Sequence, residues 1–174
     1  TGSAEVGWAL KQRCGKKRIT LELGGNAAVV IDEIENGDSV VPLVASGAFA
    51  YAGQICISVQ RVLVQQKLYE AFIDKLVAYT REEVSWGDPM QENVICGPFI
   101  SEKDVLRIEE WISEAVSLGA RLLTGGRRKG FCIEPAVLTE VPDGAKLWAE
   151  EAFAPVVAVR PYARFEDAVS EVNN

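Results

Sequence analysis

Two short stretches place a reactive side chain beside glycine: Gly53-Gln54-Ile55-Cys56 and Leu21-Glu22-Leu23-Gly24-Gly25. A cysteine at an element boundary can use free backbone N–H groups, which lower a thiol pKa and stabilise an oxyanion. A carboxylate that projects into a cleft can take a proton from water. The chain contains no histidine. Ser-His-Asp and Cys-His mechanisms are thereby excluded within it, and a zinc site made by the protein is disfavoured. Any base working near neutral pH must be a carboxylate or a lysine with a shifted pKa. Read singly, both residues have ordinary explanations. A lone cysteine is usually a small core residue, and Glu22 passes for a solvated or salt-bridged strand residue.

The elements around them decide where these side chains point. Thr1-Gly2-Ser3-Ala4-Glu5 reads as a turn entering a helix that runs to about Arg13, with Gly15 as its stop. Residues 18–23 alternate, with Ile19, Leu21 and Leu23 on one face and Thr20 and Glu22 on the other, which predicts a strand. A second short strand is expected at 27–31. Ligands in parallel sheets collect beyond the carboxyl ends of strands, so Glu22 is expected to reach a cleft there. Residues 39–52 are apolar almost all round and predict a central buried helix closed by Gly53, which delivers the chain to Cys56.

The remaining segments alternate in type. A strand at 61–64 precedes an amphipathic helix through Leu68, Phe72 and Leu76 that stops at Gly87-Asp88-Pro89. A further helix is capped by Ser101 and ends at Gly119, with Val105, Ile108, Ile112 and Ala115 on one face. Strands are expected at 122–123, 132–133, 136–141 and 156–159, with a last helix from Phe165. This order predicts an α/β fold with a largely parallel sheet and flanking helices.

Composition bounds the function. The chain has 174 residues, 48% hydrophobic and 25% charged, enough for one ordinary core. Its net charge of −7 opposes binding to a phosphate backbone, so no nucleic-acid partner is expected. No apolar run is long enough to span a bilayer and no signal peptide opens the sequence, so no membrane partner and a cytoplasmic location are expected. The cysteines, Cys14, Cys56, Cys96 and Cys132, form no CxxC and read as reduced thiols.

The order of the two reactive stretches, with Glu22 and Cys56 34 residues apart, resembles the active-site signatures of the aldehyde dehydrogenase family. Glu22-Leu23-Gly24-Gly25 is similar to its E-L-G-G run, and Gly53-Gln54-Ile55-Cys56 to its G-Q-x-C run. Thr1-Gly2-Ser3 followed by Gly7 resembles the turn and helix start that hold the cofactor diphosphate, where free N–H groups and the helix dipole face an anion. Glu150-Glu151-Ala152-Phe153-Ala154-Pro155 resembles E-E-x-F-G-P, with Ala154 in place of glycine and some change of backbone geometry expected there. Gly97-Pro98, Gly130-Phe131 and Pro135 fall in register as well, while Ala28 stands where many members have proline.

The resemblance implies a mechanism and a cofactor, NAD or NADP. Cys56 would be the nucleophile, forming a thiohemiacetal and then a thioester, and Glu22 the base that activates water to hydrolyse it. A partly apolar cleft around Glu22 would raise its pKa to suit that task. Gly2, Ser3, Gly7, Leu23, Glu151 and Phe153 would bind the cofactor, and no metal is implied. Members that pass the acyl group to coenzyme A generally lack the glutamate, so a free acid is the expected product. The residues flanking Cys56 and Glu22 resemble members acting on small hydroxy- or semialdehydes. Residues 1–21 would close a dinucleotide-binding domain, and 22–174 would form a catalytic domain cut at its C-terminal end. Both ends, the second at Asn173-Asn174, read as cuts, so the isolated piece is expected to be inactive and the intact protein a homodimer or homotetramer. Two alternatives stay open: a cysteine-dependent esterase or acyltransferase, and a non-catalytic truncated domain.

Overall fold

The computed structural model describes residues 1–34 and 39–173. Among the described residues seven strands form: β1 (Ala28–Ile31), β2 (Arg61–Gln65), β3 (Arg121–Thr124), β4 (Arg128–Lys129), β5 (Cys132–Ile133), β6 (Ala136–Thr139) and β7 (Val156–Tyr162). Five of them make one sheet in the order β1-β2-β7-β6-β3. All its pairings are parallel except β3 with β6, and β4 and β5 form a separate antiparallel pair. The expected α/β fold with a largely parallel sheet is the one observed.

The central strands are short runs of valine, leucine and alanine because both of their faces are covered. Side chains alternate across the pleat, so each strand feeds two cores. Val62, Val64, Val137, Val157 and Val159 pack with α2 (Val40–Phe49) and α3 (Tyr69–Glu82). Leu63, Ala136, Leu138, Val156 and Ala158 face the other way, toward α4 (Glu102–Ser117), α5 (Lys146–Ala149) and α6 (Phe165–Val172). The result is three layers, helices over sheet over helices. α4 starts as its sequence signalled, with the Ser101 hydroxyl accepting the Asp104 N–H at 3.3 Å. The short α5 and the β4 pairing gave no periodic signal, being too brief to show a period.

Two expectations change. Residues 18–23 form no strand. Alternation assigns faces but does not supply a partner, and the one backbone hydrogen bond that reaches this segment from outside is Gly2 N–H to the Glu22 carbonyl, at 3.2 Å. The segment is open to solvent, with Ile19 38% exposed. The helix expected over 39–52 ends at Phe49, and Tyr51 and Ala52 then turn with φ of 55° and 54°. Leu43 on that helix is 72% exposed, so it is not buried all round. The helix at the start, α1 (Ala4–Arg13), buries Gly7 while Val6, Trp8 and Leu10 are exposed.

Sheet order positions the candidate residues. β1, β2 and β7 are adjacent and parallel, and residues 22–25, 53–56 and 151–153 shortly precede them in the chain. These three segments therefore gather at the amino-terminal edge of the sheet. The expectation of a cleft beyond the carboxyl ends, which rested on a strand at 18–23, is corrected accordingly.

The core and the helix cap make separable contributions. In the intact protein, Leu138→Ala removes a fully buried side chain from the centre of β6 and is expected to cost about 2–5 kcal/mol, against about 1 kcal/mol for Ser101→Ala at the α4 cap. Urea titration of both variants measures the difference.

Candidate active site

The cysteine segment is held from both sides. Val59 N–H donates to the Gly47 carbonyl at 3.0 Å, which ties the segment back to α2. A turn closes when Ser58 N–H reaches the Ile55 carbonyl at 3.1 Å, and Cys56 lies inside it, exposed. Its own N–H donates to no acceptor among the described residues and stays available to an oxyanion. Gln54 braces the turn: its Oε1 accepts the Ile100 N–H at 3.1 Å and its Nε2 donates to the Pro98 carbonyl at 3.2 Å. Gly53, with φ of 66°, meets residue 154 so closely that a Cβ would lie 2.0 Å from the Ala154 carbonyl oxygen. Only glycine fits there.

The glutamate segment and the 150–155 segment are bound to each other. Gly25 N–H donates to Glu151 Oε1 at 2.9 Å. The carboxylate lies over Gly24, where a Cβ would fall 1.8 Å from Glu151 Oε2. Gln60, 1% exposed, sits between the same two segments: its Nε2 donates to the Gly25 carbonyl at 2.7 Å, and its Oε1 accepts the N–H groups of Ala152 and Phe153. Arg61 donates from Nε and Nη2 to the Asn26 carbonyl at 3.1 and 2.7 Å. Phe153 carries the left-handed turn of this loop, with φ of 49°, and Ala154 has no positive φ. Alanine is accommodated at 154 for that reason.

A cavity of about 580 Å³ lies where these segments meet. Thr1, Gly2, Ser3, Leu23, Gly24, Gln54, Ile55, Cys56, Asp104, Arg107, Glu151 and Phe153 line it. The structure thus brings together Cys56, Gly2, Ser3, Leu23, Glu151 and Phe153 from the expected set. Gly7 lies behind the wall, against Leu23: a Cβ there would come 2.5 Å from the Leu23 Cδ2. Glu22 precedes the lining residues and is itself exposed, so the apolar surroundings expected for it are not found among the described residues.

Two lining residues were not anticipated for this site. Asp104 and Arg107 sit in the first turns of α4, and Arg107 donates to the Ala152 carbonyl at 2.8 Å while stacking on Trp111 at 4.7 Å. Burial pulls the Arg107 pKa down, and Asp104, Glu150 and Glu151 pull it back up. The sequence signal for Asp104 was its place in the cap of α4, which says nothing of a cavity. Gln60 was equally silent, since an amide next to a strand has no pattern of its own.

The residues present fit a dinucleotide. The Ser3 side chain caps α1, accepting the Val6 N–H at 3.3 Å, and this ten-residue helix directs its amino end toward the cavity wall, which suits a diphosphate. Open space adjoins the α-carbon of Gly2. The Glu151 carboxylate is an acceptor of the kind a ribose diol requires.

The family model described as aldehyde dehydrogenase family matches residues 1–174. A 3-sulfolactaldehyde dehydrogenase of Priestia aryabhattai is 38% identical over 100% of this chain and 36% of its own length. A crystal structure of aldehyde dehydrogenase 21 from Physcomitrella patens, in complex with the reaction product succinate, superposes with a TM-score of 0.95 at 42% identity, covering 99% of this chain and 36% of that one. The glyceraldehyde-3-phosphate dehydrogenase GapN of Methanocaldococcus jannaschii, complexed with NADP, gives 0.90 at 31% identity, covering 98% and 37%. The chain spans about a third of the length of the relatives it matches.

Thiol reactivity tests the arrangement. Burial pushes the Cys96 thiol up to about 12 and raises Cys132 as well, whereas Cys56 is exposed on its turn. Below that value Cys96 stays protonated and unreactive. At about pH 8 in the native intact protein, iodoacetamide is expected to modify Cys56 while Cys96 and Cys132 react only after denaturation, as peptide mass spectrometry will show.

Proposed function

We propose that this chain, which belongs to the aldehyde dehydrogenase family, carries the nucleophile of an enzyme that oxidises an aldehyde to a carboxylic acid with NAD or NADP. The observation that carries the reading is the single cavity that gathers Cys56, Ser3, Leu23, Glu151 and Phe153. Residues 1–21 are assigned to the end of the dinucleotide-binding domain and 22–174 to the catalytic domain.

The Cys56 thiolate attacks the aldehyde carbon, and its free N–H meets the oxygen as charge develops there. When bound, the cofactor supplies the hydride acceptor that takes the thiohemiacetal to a thioester. Glu151 and Phe153 would hold the nicotinamide half, and Gly2 and Ser3 at the α1 terminus would receive the diphosphate, with Leu23 in the cavity wall and Gly7 packed behind it. Glu22, beside the lining residues Leu23 and Gly24, takes a proton from water as the water attacks the thioester carbon. The acid leaves and the thiolate returns.

A small aldehyde bearing a hydroxyl or an acid group is the proposed substrate. The likeness to an enzyme named for 3-sulfolactaldehyde and to one solved with succinate supports that class. The whole protein is assigned to the cytoplasm as a homo-oligomer; among the described residues no helix is long and apolar enough to cross a membrane.

Single-turnover kinetics on the full-length enzyme separate the two roles. Cys56→Ala is expected to abolish NADH or NADPH formation. Glu22→Gln should keep the first-turnover burst and lower steady-state turnover by about 10²–10⁴-fold, with the thioester visible on Cys56 by mass spectrometry. Unchanged deacylation would remove Glu22 from the mechanism.

A further inference from the structure

Gln60 is a polar side chain buried near the cavity, 1% exposed, and nothing in the chemistry above uses it. It follows Cys56 by four residues, at the entrance to β2. Its amide is fully committed in direction. The oxygen end faces two N–H donors, Ala152 and Phe153, so it must be the acceptor; the nitrogen end faces the Gly25 carbonyl at 2.7 Å, so it must be the donor. One end therefore grips the loop that bears Glu151 and Phe153, and the other grips the loop that bears Glu22. Both grips are made from the residue run that carries Cys56.

A second tie, Gly25 N–H to Glu151, crosses between the same loops, but it ends on a carboxylate assigned to the cofactor ribose. That carboxylate would share its acceptor sites with a ligand, so this tie depends on what fills the cavity. Gln60 is 1% exposed and is not among the residues lining the cavity, so filling the cavity does not require its bonds to break. They hold in place the turn at Phe153, whose φ of 49° is disfavoured for a side-chain-bearing residue.

We infer that Gln60 is a positioning residue that sets the distance of the Glu22 loop and the Glu151–Phe153 loop from Cys56, through opposite ends of one buried amide. The inference rests on the proposed dehydrogenase reading for its kinetic consequences. It also makes the two ends separable. Gln60→Glu keeps the acceptor for Ala152 and Phe153 but sets a carboxylate oxygen against the Gly25 carbonyl. Gln60→Met keeps the length and removes both ends.

The experiment uses the full-length enzyme with a small aldehyde panel and NAD or NADP. Gln60→Glu is expected to slow deacylation by about tenfold or more while the KM for cofactor changes by less than about threefold, because a buried acceptor loses its donor on one side only. Gln60→Met is expected to slow deacylation and also to raise the cofactor KM by about tenfold. In both variants the alkylation rate of Cys56 should stay within about twofold of wild type, since the turn holding it is braced elsewhere. Hydrogen exchange gives a readout that does not need turnover. Peptides over 22–26 should exchange faster in both variants, and those over 150–155 only in Gln60→Met.

Wild-type kcat and cofactor KM in both variants overturn the inference. So does a uniform loss in which deacylation, cofactor KM, Cys56 alkylation and exchange across the whole sheet change together, because that is a folding defect. If the wild-type enzyme reduces no cofactor with any aldehyde, the dehydrogenase reading fails, and the exchange pattern alone decides the role of Gln60.

Discussion

Three neighbouring parallel strands that start at the same edge of a sheet oblige the segments leading into them to meet. That constraint organises this protein. β1, β2 and β7 lie side by side, and the runs before them carry Leu23 and Gly24, Cys56, and Glu151 and Phe153. Backbones forced together this closely need glycine at the crossings. Gly53 under the Ala154 carbonyl is such a crossing, where a Cβ would overlap backbone, while Gly24 lies under the Glu151 carboxylate, the movable end of a side chain. The glycines that first marked these stretches in the sequence are thus explained by proximity to other loops as well as by local turning.

The same crowding sets where polar groups go. A buried amide with an unpaired end is costly, and the Gln60 amide at the crossing is paired at both ends, whereas Asn26 donates to the Trp148 carbonyl and leaves its Oδ1 without a partner among the described residues. Arg61 bonds the Asn26 carbonyl while its guanidinium lies 5.5 Å from the Trp148 ring. Beneath them the two valine- and leucine-rich faces of the sheet supply the stabilisation that lets the rim stay irregular. The surface ion pairs contribute little by comparison. Arg127 with Glu134 and Arg128 with Glu102 and Glu109 fasten the β4–β5 hairpin, but solvent screens such pairs.

Much of the architecture was legible from local pattern. The run 61–64, the start of the helix at Leu68 and Ser101 followed by Asp104 each matched an element within a residue or two, because burial period and cap chemistry are properties of a few neighbouring residues, whereas the helix expected to stop at Gly87-Asp88-Pro89 ends at Glu82. The failure at 18–23 has the same origin. Alternation there was real, yet a strand exists only with a partner, and a partner is never written in the segment itself. The misplaced cleft followed from that error. Arg107 and Gln60 stayed invisible as site residues because their partners are 35 or more residues away in the chain, as with Arg107 at Ala152 and Gln60 at Gly25 and Ala152, and Asp104 showed only its cap role.

Cys56 and Glu22 were legible as candidates from the sequence by itself: their types, their order and their glycine neighbours, with no histidine in the chain, left a thiolate with a carboxylate or lysine base. Residue type limits which proton and electron-pair transfers a chain can perform, and that limit survives any fold. Only tertiary structure decided that the cofactor-type residues share one cavity with Cys56, that this cavity lies at the amino edge of the sheet, and that Glu22 stands just outside its lining. Those facts depend on strand order and loop crossings, which arise from contacts between segments far apart in the chain and leave no period or motif within any one of them.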